Sequence, residues 1–279
     1  MSDELKERTR RQWQAIAPAW DRWTPVLERW LAPLTEAMLS AAAIAPGQRV
    51  LDIAAGAGEP SLTIARRVGP SGGVVSTDIS EAILGYAAAR AAAAGLDNVE
   101  THVMDGEDLD LPDGSFDAAV SRLGIIYFPD RPRAVREMRR ILRPGGRIAI
   151  GGISDPAANP FSVVTFAIIA RRLGLPRPDP DAPGPYSLGS EAVMRKVLAE
   201  AGFEGDRAEI VDAPLELGSA EDAASLQLEA FGFEGMLGTL SPTERDETRA
   251  EIVDALRRFE SGGHFRSPAR FIVGSGSRP

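Results

Sequence analysis

The segment Val50-Leu51-Asp52-Ile53-Ala54-Ala55-Gly56-Ala57-Gly58-Glu59-Pro60 carries the densest chemistry in the chain. An apolar run feeds a loop of small residues, and Ser61–Val68 behind it reads as a helix. Small residues let a ligand approach the backbone, and the first turn of a helix offers free amides. Asp78 follows Gly58 by twenty positions, at the end of a second apolar run. A carboxylate there suits the two hydroxyls of a ribose. Farther on, His102-Val103-Met104-Asp105-Gly106 closes a third run. Asp105 can accept from an exocyclic base amine, the Gly106 amide can donate to a ring nitrogen, and Ile79 can pack on the face of a base. Together these residues describe a nucleoside site.

The charges narrow the choice of nucleoside. Gly56-x-Gly58-x-x-Ser61 is a weak match to the dinucleotide glycine pattern, with serine in the third glycine place. Asp52 before the loop and Glu59 within it would repel a pyrophosphate. Beside a ligand carrying an ammonium group, the Asp52 carboxylate is an asset. The plain alternative for Asp52 is a strand-end turn residue, and for Glu59 a helix-start charge facing the dipole. Ser121-Arg122-Leu123-Gly124 ends a fourth run, where the strand order of such a sheet reverses and ligands collect. Arg122 there can pair an acidic ligand or bridge Asp52 or Asp78.

Proton-transfer groups are scarce. The two histidines are His102, inside a predicted strand, and His264, in the loop Gly262-Gly263-His264-Phe265. His264 and Tyr127 are the candidates for a catalytic role at an acceptor site. With no cysteine and two histidines, thiolate and multi-histidine metal sites and cysteine nucleophiles are excluded, and no metal is expected.

Positioning these groups requires a sheet. Strands are predicted over 49–55, 73–78, 98–104, 116–121 and 147–151. The intervening helices cover 61–68, 81–94 (N-capped by Ser80) and 131–142 (capped by Asp130). Arg143-Pro144-Gly145-Gly146 reads as a turn. Such alternation predicts an α/β fold, a doubly wound parallel sheet with helices on both faces. Residues 2–43 read as amphipathic helix broken near Pro18, Pro25 and Pro33. Beyond 152, helices are expected over 161–173 and 190–201, a proline-rich loop over 176–185 and a strand over 207–211. Two capped helices should follow Ser219 and Ser241, with a short last strand over 270–273.

The net charge of −9 over 279 residues argues against a nucleic-acid-binding face. Neither a signal-like N-terminus nor a membrane-spanning run is visible, so the expected location is cytoplasmic. The sequence bears no mark of an oligomeric state.

Taken together, Val50–Gly58, Asp78, Asp105, Leu111-Pro112-Asp113-Gly114-Ser115-Phe116-Asp117 and Leu142-Arg143-Pro144-Gly145-Gly146-Arg147 resemble class I S-adenosylmethionine-dependent methyltransferases. The likeness is to the branch of the ubiquinone- and menaquinone-biosynthesis methyltransferases. The resemblance implies a Rossmann-like seven-stranded sheet whose last strand is antiparallel. It places the cofactor loop on Asp52, Ala54, Gly56 and Gly58 and the adenosine contacts on Asp78, Ile79, Asp105 and Gly106. The methionine end falls near Ser121, and Trp20, with Asp21, closes over the cofactor. Ala54 stands where the family has its first glycine, which leaves the backbone amides intact. On this reading residues 1–45 form an N-terminal helical lid. Residues 46–279 form the cofactor-binding domain, with helical insertions near 155–188 and 219–262. The expected reaction is in-line C- or O-methylation of a small, largely apolar molecule, with S-adenosylmethionine as cofactor. A non-methylating binder of the same cofactor and an NAD-type oxidoreductase are the alternatives. Phe161, Phe166, Leu226, Phe231, Phe233, Met236 and Leu237 are expected to line an apolar acceptor pocket.

Overall fold

The computed structural model describes residues 2–177, 179 and 182–279. Residues 178, 180 and 181 of the predicted proline-rich loop lie outside the described residues. Five parallel strands stand at the predicted places: β1 (Arg49–Ile53), β2 (Gly73–Asp78), β3 (Val99–Val103), β4 (Phe116–Arg122) and β5 (Leu142–Ile153). The sheet is completed by β6 (Glu204–Asp212) and by β10 (Arg270–Ser277), which runs antiparallel between β5 and β6. The order β3-β2-β1-β4-β5-β10-β6 reverses direction between β1 and β4. This is the Rossmann-like arrangement, and ligands bind at the strand carboxyl ends of such a switch point.

Period-two alternation sorts the core. Val50 faces one side with Ala118, Val120 and Ala149, while Leu51 and Ile53 face the other with Phe116 and Ile148. On the first side lie α1 (Ser2–Ala41), α2 (Ser61–Val68) and α3 (Glu81–Ala93). On the second lie α4 (Arg131–Ile141) and α6 (Glu191–Glu200). The expected caps form: Ser80 Oγ accepts from Ile83 N, and Asp130 accepts from Arg133 N.

Two local expectations are corrected. The predicted turn 143–146 lies within β5: Phe116 pairs with Leu142 and Ala118 with Arg147, so four residues bulge out between matched positions. The predicted breaks in the N-terminal helix do not occur. A single helix runs through Pro18, Pro25 and Pro33. All three prolines are exposed, and their spacing keeps their rings on the outward side of α1, away from the core. The inward side buries Leu27, Leu31, Leu34 and Met38 against the sheet.

The remaining elements pack outside α1. They are α5 (Pro160–Arg172), α7 (Ala220–Glu229), α8 (Phe233–Leu237), α9 (Pro242–Leu256) and a second sheet ordered β7-β9-β8. Its strands, β7 (Leu215–Leu217), β8 (Glu260–Ser261) and β9 (His264–Ser267), have only two to four residues each, too short for a pattern in the sequence to announce them. Among the described residues no helix is long and apolar enough to cross a membrane.

Candidate active site

A cavity opens at the carboxyl ends of β1, β2 and β4, roofed by the N-terminal half of α1. Its floor includes Ala54, Gly56, Asp78, Ile79, Asp105, Gly106, Arg122 and Tyr127, and its roof Lys6, Thr9, Trp13 and Trp20. Eight of the sequence-predicted residues therefore meet in one place: Trp20, Ala54, Gly56, Asp78, Ile79, Asp105, Gly106 and Tyr127.

Four predicted residues do not line it. Asp52 is fully buried with Val50 on the α2 side of the sheet. Its Oδ2 accepts from Ser61 Oγ at 2.6 Å, and Ser76 Oγ stands 2.6 Å behind Ser61 Oγ. Oδ1 has no partner, and burial raises the Asp52 carboxyl to about 7. Ser121 is buried behind Gly124, its hydroxyl also unpartnered. Gly58 (φ +113°) is a packing glycine: a Cβ there would come within 2.4 Å of Leu62 Cδ1 and 3.2 Å of Ala87 Cα. His264 is exposed at the start of β9, where it pairs with Ser261 in the small sheet, and does not line the cavity. His102 is exposed on the edge strand β3, its Nε2 3.6 Å from Glu100.

The apolar set expected at an acceptor pocket is also placed elsewhere. Phe161 packs under Trp30 and Phe166 pairs with Phe233, while Leu226 and Leu237 are buried in the main core. Trp20 and Trp30 stand between this layer and the cavity, with Phe231 against both. The cavity's own apolar wall is Trp13, Trp20, Leu31, Tyr127 and Phe128. Trp13 lies edge-on to Trp20 at 5.3 Å and to Tyr127 at 6.0 Å between ring centroids. Trp13 and Trp20 are seven residues apart, two helical turns, which puts both on one face of α1, but Trp23 and Trp30 share that spacing and do not line the cavity.

The loop geometry explains its residue types. Ala54 sits at φ +57°, a left-handed backbone that costs a non-glycine residue about 1–3 kcal/mol. Its methyl faces Gly124, where a Cβ would lie 2.3 Å from the Ala54 Cβ. The Gly56 amide donates to Asp78 Oδ2 at 3.1 Å and Ser80 N to Oδ1 at 3.0 Å. Burial outweighs these donors and pushes the Asp78 carboxyl up to about 6. The Gly58 amide is taken by Ala55 O. Two amides expected to meet a ligand carboxylate are thus occupied within the loop.

Two cations complete the picture: Lys6, which the sequence does not mark, and Arg122, which it does. Lys6 Nζ reaches Asp105 at 2.6 Å and Glu107 at 2.5 Å, tying the first turns of α1 to the end of β3. Glu107 is 2% exposed and also accepts from Asp130 N. Arg122 donates to Thr35 Oγ1 at 2.9 Å and to the Glu59 carbonyl at 2.8 Å, linking α1 to the glycine loop. Desolvation lowers the Arg122 pKa, against the pull of Glu59, Asp52 and Glu28. No carboxylate of a described residue forms an ion pair with it. Glu59 itself turns to Thr63 and to Arg66 at 3.7 Å, and its burial raises its pKa.

Fold and loop together define a nucleoside-binding Rossmann-like enzyme, and comparison with known proteins narrows that class. Residues 50–146 match the family model described as "Methyltransferase domain". The chain is 31% identical to nocamycin O-methyltransferase of Saccharothrix syringae over 253 residues, covering 87% of this chain and 90% of that protein. It is 30% identical to demethylmenaquinone methyltransferase of Listeria monocytogenes over 161 residues, 56% of this chain and 66% of the other. Among solved structures, the YcgJ protein of Bacillus subtilis aligns with a TM-score of 0.56 at 20% identity, covering 88% of this chain and 97% of that one. The [4+2]-cyclase SpnF aligns equally well, at 0.56 and 19% identity over 95% and 96% of the two chains, so the fold alone does not specify methyl transfer. The sequence likeness does: this chain belongs to the class I S-adenosylmethionine-dependent methyltransferases. It is a methyltransferase enzyme, and its cofactor is S-adenosylmethionine.

The residues present fit that cofactor. A buried carboxylate ends β2, a second acid ends β3, and Gly56 keeps the floor open beneath the Trp20 indole. The desolvated Arg122 guanidinium, lacking a paired anion, suits a carboxylate.

Proposed function

We propose that the cavity under α1 holds S-adenosylmethionine and that the enzyme methylates a small, largely apolar acceptor. In this reading Asp78 takes the ribose hydroxyls. Ile79 and Gly106 flank the adenine, with its amine toward Asp105. Ala54 and Gly56 form the floor, Trp20 closes from above, and Arg122 takes the methionine carboxylate. Asp52 and Ser121 act from behind the loop. The cofactor supplies an electrophilic methyl group already attached to a good leaving group.

The protein's task is then positioning and exclusion of water. The observation that carries the acceptor reading is the wall of Trp13, Trp20 and Tyr127, which presents ring faces and edges rather than charges to the cavity. Two relatives, by their names, act on nocamycin and demethylmenaquinone, and both readings agree with a small-molecule acceptor. The acidic net charge supports the same choice over nucleic acid. Helix α1 serves as the lid, and α5 and α7–α9 back it.

Two measurements test this. Asp78→Ala should weaken S-adenosylhomocysteine binding by about tenfold or more, the loss of a charged hydrogen-bond acceptor; unchanged affinity removes the ribose assignment. Incubation with methyl-labelled cofactor and a metabolite extract, followed by mass spectrometry, should give a labelled small molecule. Label found only in macromolecules removes the acceptor reading.

A further inference from the structure

Helix α1 carries four tryptophans, and their indole N–H groups divide into two kinds. Trp23 Nε1 donates to Glu229 Oε2 at 2.8 Å and Trp30 Nε1 to the Ala213 carbonyl at 2.8 Å. Neither residue lines the cavity. Trp13 and Trp20 do line it, and neither indole N–H meets a hydrogen-bond acceptor on a described residue. The Tyr127 hydroxyl is in the same position. Trp20 lies over Gly56, on the cofactor side. Trp13 and Tyr127 stand edge to face in that wall, their ring centroids 6.0 Å apart. None of these three groups is among the buried polar atoms that lack a partner, so each donor is open to a ligand acceptor entering the cavity.

The same wall lacks a group able to deprotonate a weak acid. Its only amine, Lys6, is held by Asp105 and Glu107. The Asp78 carboxylate is held by backbone amides, and Glu59 points to Thr63 and Arg66. No histidine lines the cavity. Burial raises the Tyr127 phenol to about 12, so at neutral pH it is a permanent donor and not a base.

We propose that Trp13 Nε1–H and Tyr127 Oη–H receive the oxyanion of the methyl acceptor, and that this enzyme takes conjugated acids already ionised at neutral pH: acidic phenols, enols of 1,3-dicarbonyl compounds or carboxylic acids. The inference rests on the methyl-transfer reading of the cavity and names the acceptor class within it. The acceptor's proton leaves to bulk water before binding. An oxygen lone pair then forms the O–CH3 bond while the methyl–sulfur bond breaks, its electron pair staying on sulfur to give the neutral thioether. No proton is released in the site, and none needs a base there.

The test uses the full chain, S-adenosylhomocysteine and 4-nitrophenol, whose anion absorbs visible light. In the S-adenosylhomocysteine complex, 4-nitrophenol should bind as its anion, with an apparent pKa lowered by about one unit. Tyr127→Phe and Trp13→Phe should each return that pKa toward the free value and weaken anion binding about tenfold, with S-adenosylhomocysteine affinity kept as the check on folding. Binding of the neutral phenol, no binding at all, or variants that behave as the parent would overturn the proposal. So would variants that lose S-adenosylhomocysteine affinity instead, since the donors would then serve the cofactor. Failure of the parent protein to bind S-adenosylhomocysteine would count against the cavity's cofactor reading and is separately visible.

Discussion

Arg90 donates Nη2 to the backbone carbonyl of Asp21 at 3.0 Å, the carbonyl that Pro25 leaves without its helical N–H. The same guanidinium holds the Asp21 carboxylate through Nε at 3.0 Å and Nη2 at 2.8 Å. One side chain on α3 therefore mends the backbone of α1 and fastens the helix to the body of the enzyme. Arg90→Met should destabilise the protein by about 1–3 kcal/mol in denaturant titration. It should cost less in a Pro25→Ala background, where the Asp21 carbonyl regains its helical donor. Equal losses in both backgrounds would show that the carbonyl contact contributes nothing.

Ala54 and Gly124 are coupled. Gly124→Ala sets a methyl against the Ala54 Cβ and 2.9 Å from Ser121 Oγ. Overpacking of this kind costs about 1–3 kcal/mol. Ala54→Gly relieves the left-handed backbone and should recover part of that loss, visible as a non-additive double-mutant cycle in melting temperature. Strict additivity would mean that the two positions do not touch.

Lys6 pins the first turns of α1 to the end of β3. Lys6→Met leaves Asp105 and the buried Glu107 without their shared cation. The first turns of α1 should then be cut faster in limited proteolysis, and S-adenosylhomocysteine should dissociate several-fold faster in stopped-flow release. Unchanged rates in both would remove the clasp.

The raised carboxyls give the ligand-free protein a definite pH response. Asp52 titrates at about 7 and Asp78 at about 6, both above the usual value of 3.8. Between roughly pH 4 and pH 7 the folded state binds more protons than the unfolded one, so stability falls as pH rises through that window. The melting temperature should therefore be higher near pH 5.5 than at pH 8. Asp52→Asn should flatten the difference, since its amide carries no charge to desolvate. A melting temperature that climbs from pH 5.5 to 8 would contradict the burial account of these two groups.

Much of this architecture is legible in the residues. β1, β2 and β4 are short, largely apolar runs bounded by Pro, Gly and Asp, and they lie where such runs put them, whereas β3 is a largely polar edge strand and β5 extends past its apolar part. Asp78, Asp105 and Gly106 end their strands at the cavity. Asp52 could have been placed behind the loop from alternation alone, because it shares a face with Val50 and not with Ile53. Other features have no local signal. The continuity of α1 defies the proline rule because long-range packing of Leu27, Leu31 and Leu34 outweighs it. The contacts of Lys6 with Asp105 and of Arg122 with Thr35 join residues 99 and 87 positions apart. The acceptor-side set failed as predicted because apolar side chains fill a second core layer as readily as a pocket.

The three prolines of α1 have a consequence for how the enzyme reports its own state. Each costs about 3 kcal/mol in a helix interior, so this forty-residue segment has no means of being a stable helix by itself. Its helical form is induced by the surface it lies on, and its first turns lie on the cavity. Any molecule that fills the cavity and touches Trp13 or Trp20 therefore adds to the free energy that keeps those turns wound. Far-ultraviolet circular dichroism then becomes a ligand assay: the helical signal of the first two dozen residues should melt at a higher temperature as occupancy rises, without a label or a known acceptor.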